Sequence, residues 1–430
     1  MHSRYKTGNV GFTLAGSARL LNIAKSVGIR NSRARSFSTL YQVPLGKGVA
    51  TVPLLQVPSH LGHYSSRVNR RYNEDRYFAG ILHLPAGSSL TPRAVRESNG
   101  GSNHTRNVFT YSVFDGHGGP ECAEYLKSEL ARYLETCDLS KGNEIQESYR
   151  LNIGGYWRAW KHEIEKYVSK LSVEDDLELR VPLSYLKADY DFIQSNEKSG
   201  STCTSVFLYS LDPSKMYWDP GQVSNLTVAH VGDTRCILAD NLGNVHPLSI
   251  NHHPSTALEA TRLKRYSASF YTDSFGEERF DEFANTRAFG DLRAKSKGVS
   301  AEPDIVKCQI GDPRKLREMR AEHNRTGIKM FGGNEAFLIL ISDGVSGIVS
   351  DQELVDLTIN SANKSGSGRG SPQDAAEEIV KYAEALGGDD NATCMVIRLS
   401  GWGFWNWRDR TGILREDRLR QAFDKQNRRQ

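Results

Sequence analysis

The first 73 residues of this 430-residue chain contain no aspartate or glutamate. Acids make up 51 of the 430 residues, so an acid-free stretch of that length is a feature of the sequence and not a sampling accident. Long apolar runs are missing too. The strongest, Ala336–Ile341, covers six residues, against roughly 18–20 for a bilayer-spanning helix, which excludes stable membrane insertion by such a segment. Cysteine is sparse and scattered. There are six, no two form a Cys-x-x-Cys, and the nearest pair, Cys122 and Cys137, lies 15 positions apart. That excludes a thiolate zinc site and a redox dithiol. Cys203, Cys236 and Cys394 fall in apolar runs, where a thiol serves as a small hydrophobe in a reducing compartment. With 38% hydrophobic and 25% charged residues, the composition is globular and not collagen-like, disordered or disulfide-stapled.

What stands in place of the missing acids is basic. Eleven Lys and Arg, from Arg4 to Arg71, precede Glu74. Between Leu14 and Ile29, Leu14, Ala18, Leu21, Ala24 and Ile29 recur near helical spacing, with Arg19 and Lys25 between them and Arg30 following. An Arg- and Ser-rich, acid-free amphipathic segment is the pattern of a mitochondrial presequence. Arg35-Ser-Phe-Ser-Thr39 resembles a matrix-processing signal with cleavage after Phe37. A nucleic-acid arm fits less well, because the basic residues interleave with Leu and Ile. Residues 1–37 hold seven basic residues and no acids, leaving 48 basic and 51 acidic residues in the rest. The formal charge of +4 is thus a basic leader joined to a slightly acidic body. That body has no basic stripe interleaved with aromatics, so no nucleic-acid partner is expected.

Residues 38–66 are rich in Pro, Gly, Ser and His and read as an irregular lead-in. Strands are expected at Val108–Phe114, Ser205–Ser210, Leu226–Val231, Cys236–Ala239, Phe337–Ile341 and Thr393–Leu399, each bounded by turn residues. Amphipathic helices are expected over Pro120–Cys137, Ala257–Arg265, Gln352–Ile359 and Gln373–Ala385. Bunched strands alternating with helices predict a mixed α+β architecture. Polar or Gly/Ser-rich stretches near 85–107, 138–183, 311–333 and 361–372 read as insertions, and 138–183, which contains Tyr156-Trp-Arg-Ala-Trp160, is expected to form its own helices. Residues 401–430 form a Trp-rich, basic extension, fit either for a partner surface or for packing on the body.

The chemistry lies in the turns at strand ends. Phe114-Asp115-Gly116-His117-Gly118-Gly119 places a carboxylate where a buried strand emerges, and Ser342-Asp343-Gly344 repeats this after the most apolar strand. Asp389-Asp390-Asn391-Ala392-Thr393 precedes the last strand, and Arg70-Arg71-Tyr72-Asn73-Glu74-Asp75 sets two acids beside two arginines. One Asp-Gly is usually only a turn. Several carboxylates gathered at sheet ends suit hard, octahedral cations such as Mg²⁺ or Mn²⁺. The residues alone therefore suggest metal-assisted hydrolysis of an oxyanion.

In order along the chain, these motifs, with Ser199-Gly-Ser-Thr202, Gly232-Asp233-Thr-Arg235 and Thr286-Arg-Ala-Phe-Gly-Asp291, resemble the metal-dependent Ser/Thr protein phosphatases of the PPM family, type 2C, and in particular fungal mitochondrial members. The resemblance spans about residues 65–400. It implies a four-layer α/β/β/α sandwich of two antiparallel sheets flanked by helices, with a phosphatase domain over residues 67–400. It implies that Asp115, Asp343 and Asp390 ligate metal, with Glu74 or Asp75 joining directly or through water and Gly116 offering its carbonyl. Two ions would share a water whose pKa falls far enough to supply hydroxide. Arg70 would hold the phosphate oxygens, with Arg71 as its alternative, and His117 would protonate the leaving alkoxide. Thr202, Arg235 and Arg287 read as scaffold. Gly347 stands where the family often has a further aspartate, so Asp233 is half of a third-ion site whose occupancy stays open.

The implied activity is hydrolysis of phosphoserine and phosphothreonine in mitochondrial matrix phosphoproteins, with the pyruvate dehydrogenase complex as a candidate and a monomer as the expected form. A catalytically weak phosphoprotein-binding regulatory module is the alternative, motivated by Gly347. The leader reading has a direct test. Residues 1–37 fused to a fluorescent protein should deliver it to mitochondria, and arginine-to-alanine replacement at Arg19, Arg30, Arg33 and Arg35 should leave it in the cytosol. Cytosolic fluorescence from the unmodified fusion would contradict the presequence.

Overall fold

A computed structural model describes residues 39–427 except 46–47, 86–104, 154–175, 213, 265–269, 273–277, 281–282, 323–327 and 365–369. The expected presequence, and parts of the expected insertions, lie outside the described residues.

Among the described residues, twelve strands build the two main sheets. In chain order they are β1 (Leu61–Ser66), β2 (Arg76–Pro85), β3 (Thr105–His117), β4 (Gly200–Ser210), β5 (Val223–Val231), β6 (Arg235–Asp240), β7 (Val245–Pro247), β8 (Phe289–Gly290), β9 (Asp304–Gly311), β10 (Lys329–Met330), β11 (Glu335–Ile341) and β12 (Ala392–Arg398). The first sheet runs β10-β9-β5-β4-β3-β2, with β8 also pairing β4. The second runs β1-β12-β11-β6-β7. All pairings are antiparallel except the two-residue parallel contact of β9 with β10.

Alternation along each strand decides which layer a side chain joins. In β11, Leu338 and Leu340 face the other sheet and meet Ile81, Phe109, Val113, Val206 and Val228 in the central core. Their neighbours Phe337, Ile339 and Ile341 point the opposite way, toward helices α3 (Asp351–Asn363) and α4 (Pro372–Ala385). On the outer face of the first sheet, Phe114, Phe207 and Ala229 are covered by α1 (Glu121–Thr136) and α2 (Leu177–Ile193). Strands buried on both faces read as continuous apolar runs, which is why β11 is the plainest strand in the sequence. The result is the four-layer α/β/β/α sandwich.

Helix starts follow local chemistry. Ser350 caps α3 with a reciprocal bond to Glu353, and Ser371 does the same for α4 with Asp374, with Pro372 at the first helical position. One expectation is corrected. The irregular lead-in at 38–66 instead holds two antiparallel strands, Leu40–Leu45 and Gly48–Pro53, followed by β1, which closes the edge of the second sheet against β12. The stretch at 138–183, expected to be an insertion with helices of its own, includes the helix Gly142–Asn152 and ends inside α2, where all but two of the 17 residues are buried despite Pro182 within the helix. At the C-terminus, Trp402 is 2% exposed and packs edge-on against Phe337 and Trp405, so this tail joins the body and continues into α5 (Gly412–Asn427).

Leu340 is fully buried between the two sheets. Leu340→Ala should lower unfolding free energy by about 2–5 kcal/mol, read as a shifted urea midpoint with an unchanged slope. A loss below about 0.5 kcal/mol, the scale of a surface substitution, would contradict the sandwich core.

Candidate metal and phosphate site

One end of the sandwich collects the turns. Asp115 and Gly116 immediately precede His117, the last residue of β3, and pairing sets Asp115 beside Thr202, Gly116 beside Ser201 and His117 beside Gly200. Asp343 opens a single helical turn directly after β11, and its backbone N–H donates to Asp115 Oδ2 at 3.2 Å. Asp233 follows β5 through Gly232, whose φ of +100° and closeness to Thr202 leave no room for a side chain (an added Cβ would lie 2.3 Å from the threonine Cβ). Asp115, Asp233 and Asp343 each present an oxygen within 4.8 Å of the others.

Asp75 lies beneath this trio, 2% exposed. Its Oδ2 accepts from the hydroxyls of Ser342 at 2.8 Å and Thr393 at 2.7 Å, which ties the loop before β2 to β11 and β12. Asn391 makes the second tie. Its Oδ1 accepts from the Glu74 N–H at 2.8 Å, while its Nδ2 donates to the Tyr72 and Arg67 carbonyls. Gly116 lets the Glu74 backbone close in, since a Cβ there would sit 2.5 Å from the Glu74 oxygen. Arg70 reaches across to Asp390 at 2.7 Å, in a pair whose side chains are 56% and 39% exposed. Exposed ion pairs are worth about 0–1 kcal/mol, so this guanidinium is cheaply transferred to another oxyanion.

Of the nine residues named from the sequence, Arg70, Glu74, Asp115, Gly116, His117, Asp233, Asp343 and Asp390 line one cleft of about 570 Å³, and Asp75 sits behind it. Arg71, Tyr72 and Arg279 line the same cleft. Thr202 reaches it too, and Arg235 instead pairs with Asp351 at 2.6 Å. Arg287 is buried against Glu259 and Asp304, and His252 bridges Asp304 to the Gly232 N–H. Sequence reasoning missed Ser342, Thr393 and Asn391 as the bonds that fix Asp75 and Glu74. It also missed Asn285, which donates to Asp233 Oδ2 at 2.9 Å, and Asp291, which meets His117 at 2.7 Å. All but Asn285 stand inside quoted motifs, and their position there was the available signal.

Electrostatics identify what the cleft suits. Burial, reinforced by the charges of Asp343, Asp75 and Asp233, pushes the Asp115 carboxyl well above the ordinary range. Burial, then the charges of Asp233 and Asp390, raises Asp343 to about 7. Burial also lifts Asp75 to about 6, against the pull of its two hydroxyl donors. Asp75 Oδ1 and Asp233 Oδ1 are buried with no hydrogen-bond partner among the described residues. Crowded carboxylates with unpartnered hard oxygens are a donor set for divalent cations, so the residues fit Mg²⁺ or Mn²⁺. At His117, burial disfavours the imidazolium, but the bond to Asp291 and its charge outweigh this and raise the pKa.

The protein phosphatase 2C profile matches residues 89–316 and 324–392. Arg70, Glu74 and Asp75 precede the matched residues yet share the cleft or support it. The chain is 33% identical over 397 residues to protein phosphatase 2C homolog 4 of Schizosaccharomyces pombe, covering 90% of this chain and 92% of the relative. It is 27% identical over 300 residues to mitochondrial protein phosphatase 1K of Xenopus laevis, covering 70% and 63% respectively. Among solved structures, a serine-threonine phosphatase 2C from Toxoplasma gondii superposes with a TM-score of 0.52 at 17% identity, covering 84% of this chain and 99% of the other. A Caenorhabditis elegans sex determining protein gives 0.52 at 19% identity, covering 84% and 67%. These two support the fold alone.

The metal-free site predicts an inverted pH dependence. Folded Asp75 and Asp343 hold protons that the unfolded chain has already released, so the stability they contribute is complete below about pH 4 and is lost as pH rises toward 6–7. In EDTA, this part of the thermal midpoint should fall between pH 5 and 7.5, and Asp343→Asn should remove much of the fall. The variant should melt higher at pH 7.5, by about 1 °C for each kcal/mol of repulsion relieved in a chain of this size. A lower midpoint for the variant would contradict the assignment.

Proposed function

The chain belongs to the protein phosphatase 2C family of metal-dependent protein serine/threonine phosphatases, and on that premise we propose how its residues divide the work. The observation that carries the reading is the convergence of carboxylates from separate strand ends on one cleft that also holds Arg70 and His117.

Asp115, Asp343 and Asp390 would hold Mg²⁺ or Mn²⁺, two ions in all, with Glu74 or Asp75 and the Gly116 carbonyl completing the oxygen set. Bound cations would supply Lewis acidity and lower the pKa of a coordinated water. The chain's own residues do the rest. Arg70, loosely paired with Asp390 at the rim, presents its fork to two phosphate oxygens of the incoming phosphoserine or phosphothreonine. Ser342 and Thr393 keep Asp75 in one rotamer, and Asn391 keeps the Arg70–Asp75 loop against the sheet end. His117 gives a proton to the leaving alkoxide oxygen, which is too basic to depart unaided. With Asn285 bonded to Asp233 and Gly347 lacking a carboxylate, the two-ion arrangement is sufficient for this reading.

The likeness to a mitochondrial relative and the basic leader together support a mitochondrial matrix site of action, with a phosphorylated subunit of the pyruvate dehydrogenase complex as substrate. The purified protein should release phosphate from a phosphoserine peptide with Mn²⁺ or Mg²⁺ and not in EDTA. Asp343→Asn should reduce turnover to background. Arg70→Ala removes a charge-assisted contact worth about 1.5–3 kcal/mol, so kcat/KM should fall roughly 10- to 150-fold. Peptide binding without turnover at saturating Mn²⁺ would instead establish the regulatory-module alternative.

A further inference from the structure

We propose that Asp291 is the positioning residue of the proton donor, holding the His117 ring by Nε2 so that Nδ1 is the atom that delivers the proton. The proposal rests on the reading above, in which His117 serves the leaving group. Asp291 Oδ2 lies 2.7 Å from His117 Nε2. Among the described residues Nε2 has this partner, and Nδ1 accepts or donates no hydrogen bond. The carboxylate is largely buried, with its side chain 13% exposed, while the ring is 44% exposed toward the cleft.

The sheet is shaped around this pair. His117 on β3 stands opposite Gly200 on β4, and Gly290 on β8 pairs with the same Gly200. His117 and Asp291 therefore approach from the two sides of a residue without a side chain. A Cβ at position 200 would lie 2.3 Å from His117 Nε2 and 2.5 Å from Asp291 Cγ. Asp291 itself adopts a left-handed backbone, φ 49° and ψ 47°, a conformation that costs most side chains about 1–2 kcal/mol. Strain of this kind persists where the surroundings impose it.

Those surroundings are specific. The Gly290 N–H donates to Asp189 Oδ1 at 2.7 Å, and Asp189 Oδ2 is paired at 2.8 Å with Lys295, both side chains fully buried. Lys295 also donates to the Ala288 carbonyl, so the turn carrying Asp291 is clamped on both sides. A buried ion pair contributes little net stability, but it fixes where the next carboxylate points.

As the P–O bond to the serine oxygen breaks, that oxygen takes the Nδ1 proton. Water supplies the new P–O bond, the products are the free hydroxyl and inorganic phosphate, and neutral His117 keeps the Nε2–H shared with Asp291. A proton from solvent then restores Nδ1–H.

The test compares substrates whose leaving groups differ in their need for a proton. D291G keeps the left-handed backbone and deletes the carboxylate, and D291N, which also tolerates this conformation, is the second variant should D291G lower stability. General-acid catalysis is worth roughly 10²–10⁴-fold. The ratio of kcat on a phosphoserine peptide to kcat on p-nitrophenyl phosphate should therefore fall about 10- to 100-fold in D291G. In an H117A background the same replacement should change that ratio by less than twofold, about the error of the measurement. An unchanged ratio in D291G, or a further loss on top of H117A, would overturn the proposal. Absence of turnover by the wild type on both substrates would instead defeat the functional reading beneath it.

Discussion

Three or more carboxylates are forced into one small volume at the end of this sandwich, and that repulsion organises everything near it. Asp115, Asp233 and Asp343 crowd within 4.8 Å, with Asp75 buried below. Negative charges so placed would unfold a marginal protein unless neutralised by protons or cations. The fold supplies the opposing force from two hydrophobic layers and from cross-ties. Leu338 and Leu340 anchor β11 in the central core, and Ser342, Thr393 and Asn391 then lock the acidic turns together. The site is a strained cluster held by a stable scaffold, the usual relation between activity and stability.

The same architecture separates an exposed, loosely paired rim from a braced, largely buried turn. Arg70 and Asp390 sit at the exposed rim, where their pairing is weak and exchangeable. His117 and Asp291 sit on the other wall, over Gly200, in a turn clamped by Asp189 and Lys295. Asp189 comes from α2, and Tyr149 from the helix Gly142–Asn152 also reaches it. Elements that look like decoration on the sequence therefore brace the His117–Asp291 pair.

How much was legible depended on burial. β11 and β12 could be read because both faces are covered and their central runs, Ala336–Ile341 and Cys394–Ile397, are apolar. β1 could not. As an edge strand with sequence Leu-Gly-His-Tyr-Ser-Ser it carries mostly polar side chains, and its pairing with β12 is a long-range fact that no local pattern encodes. α2 was legible only as part of a helix-forming insertion, because Pro182 and the polar stretch before it hide its bounds. In the site, the carboxylates were legible as Asp-Gly turns at strand ends. Their partners were not, because Ser342, Thr393, Asn391 and Asp291 act across 50 to more than 300 residues of sequence separation.

The central claim is that this carboxylate cluster stays partly protonated when empty and exists to hold divalent cations. Calorimetric titration of Mn²⁺ into the metal-free protein, repeated in buffers of different ionisation enthalpy, measures binding and proton release together. Binding at pH 6 should release protons, because Asp343 and Asp115 must ionise to serve as ligands, and the release should shrink as pH rises above 8. No Mn²⁺ binding, or binding at pH 6 without proton release, would contradict the account.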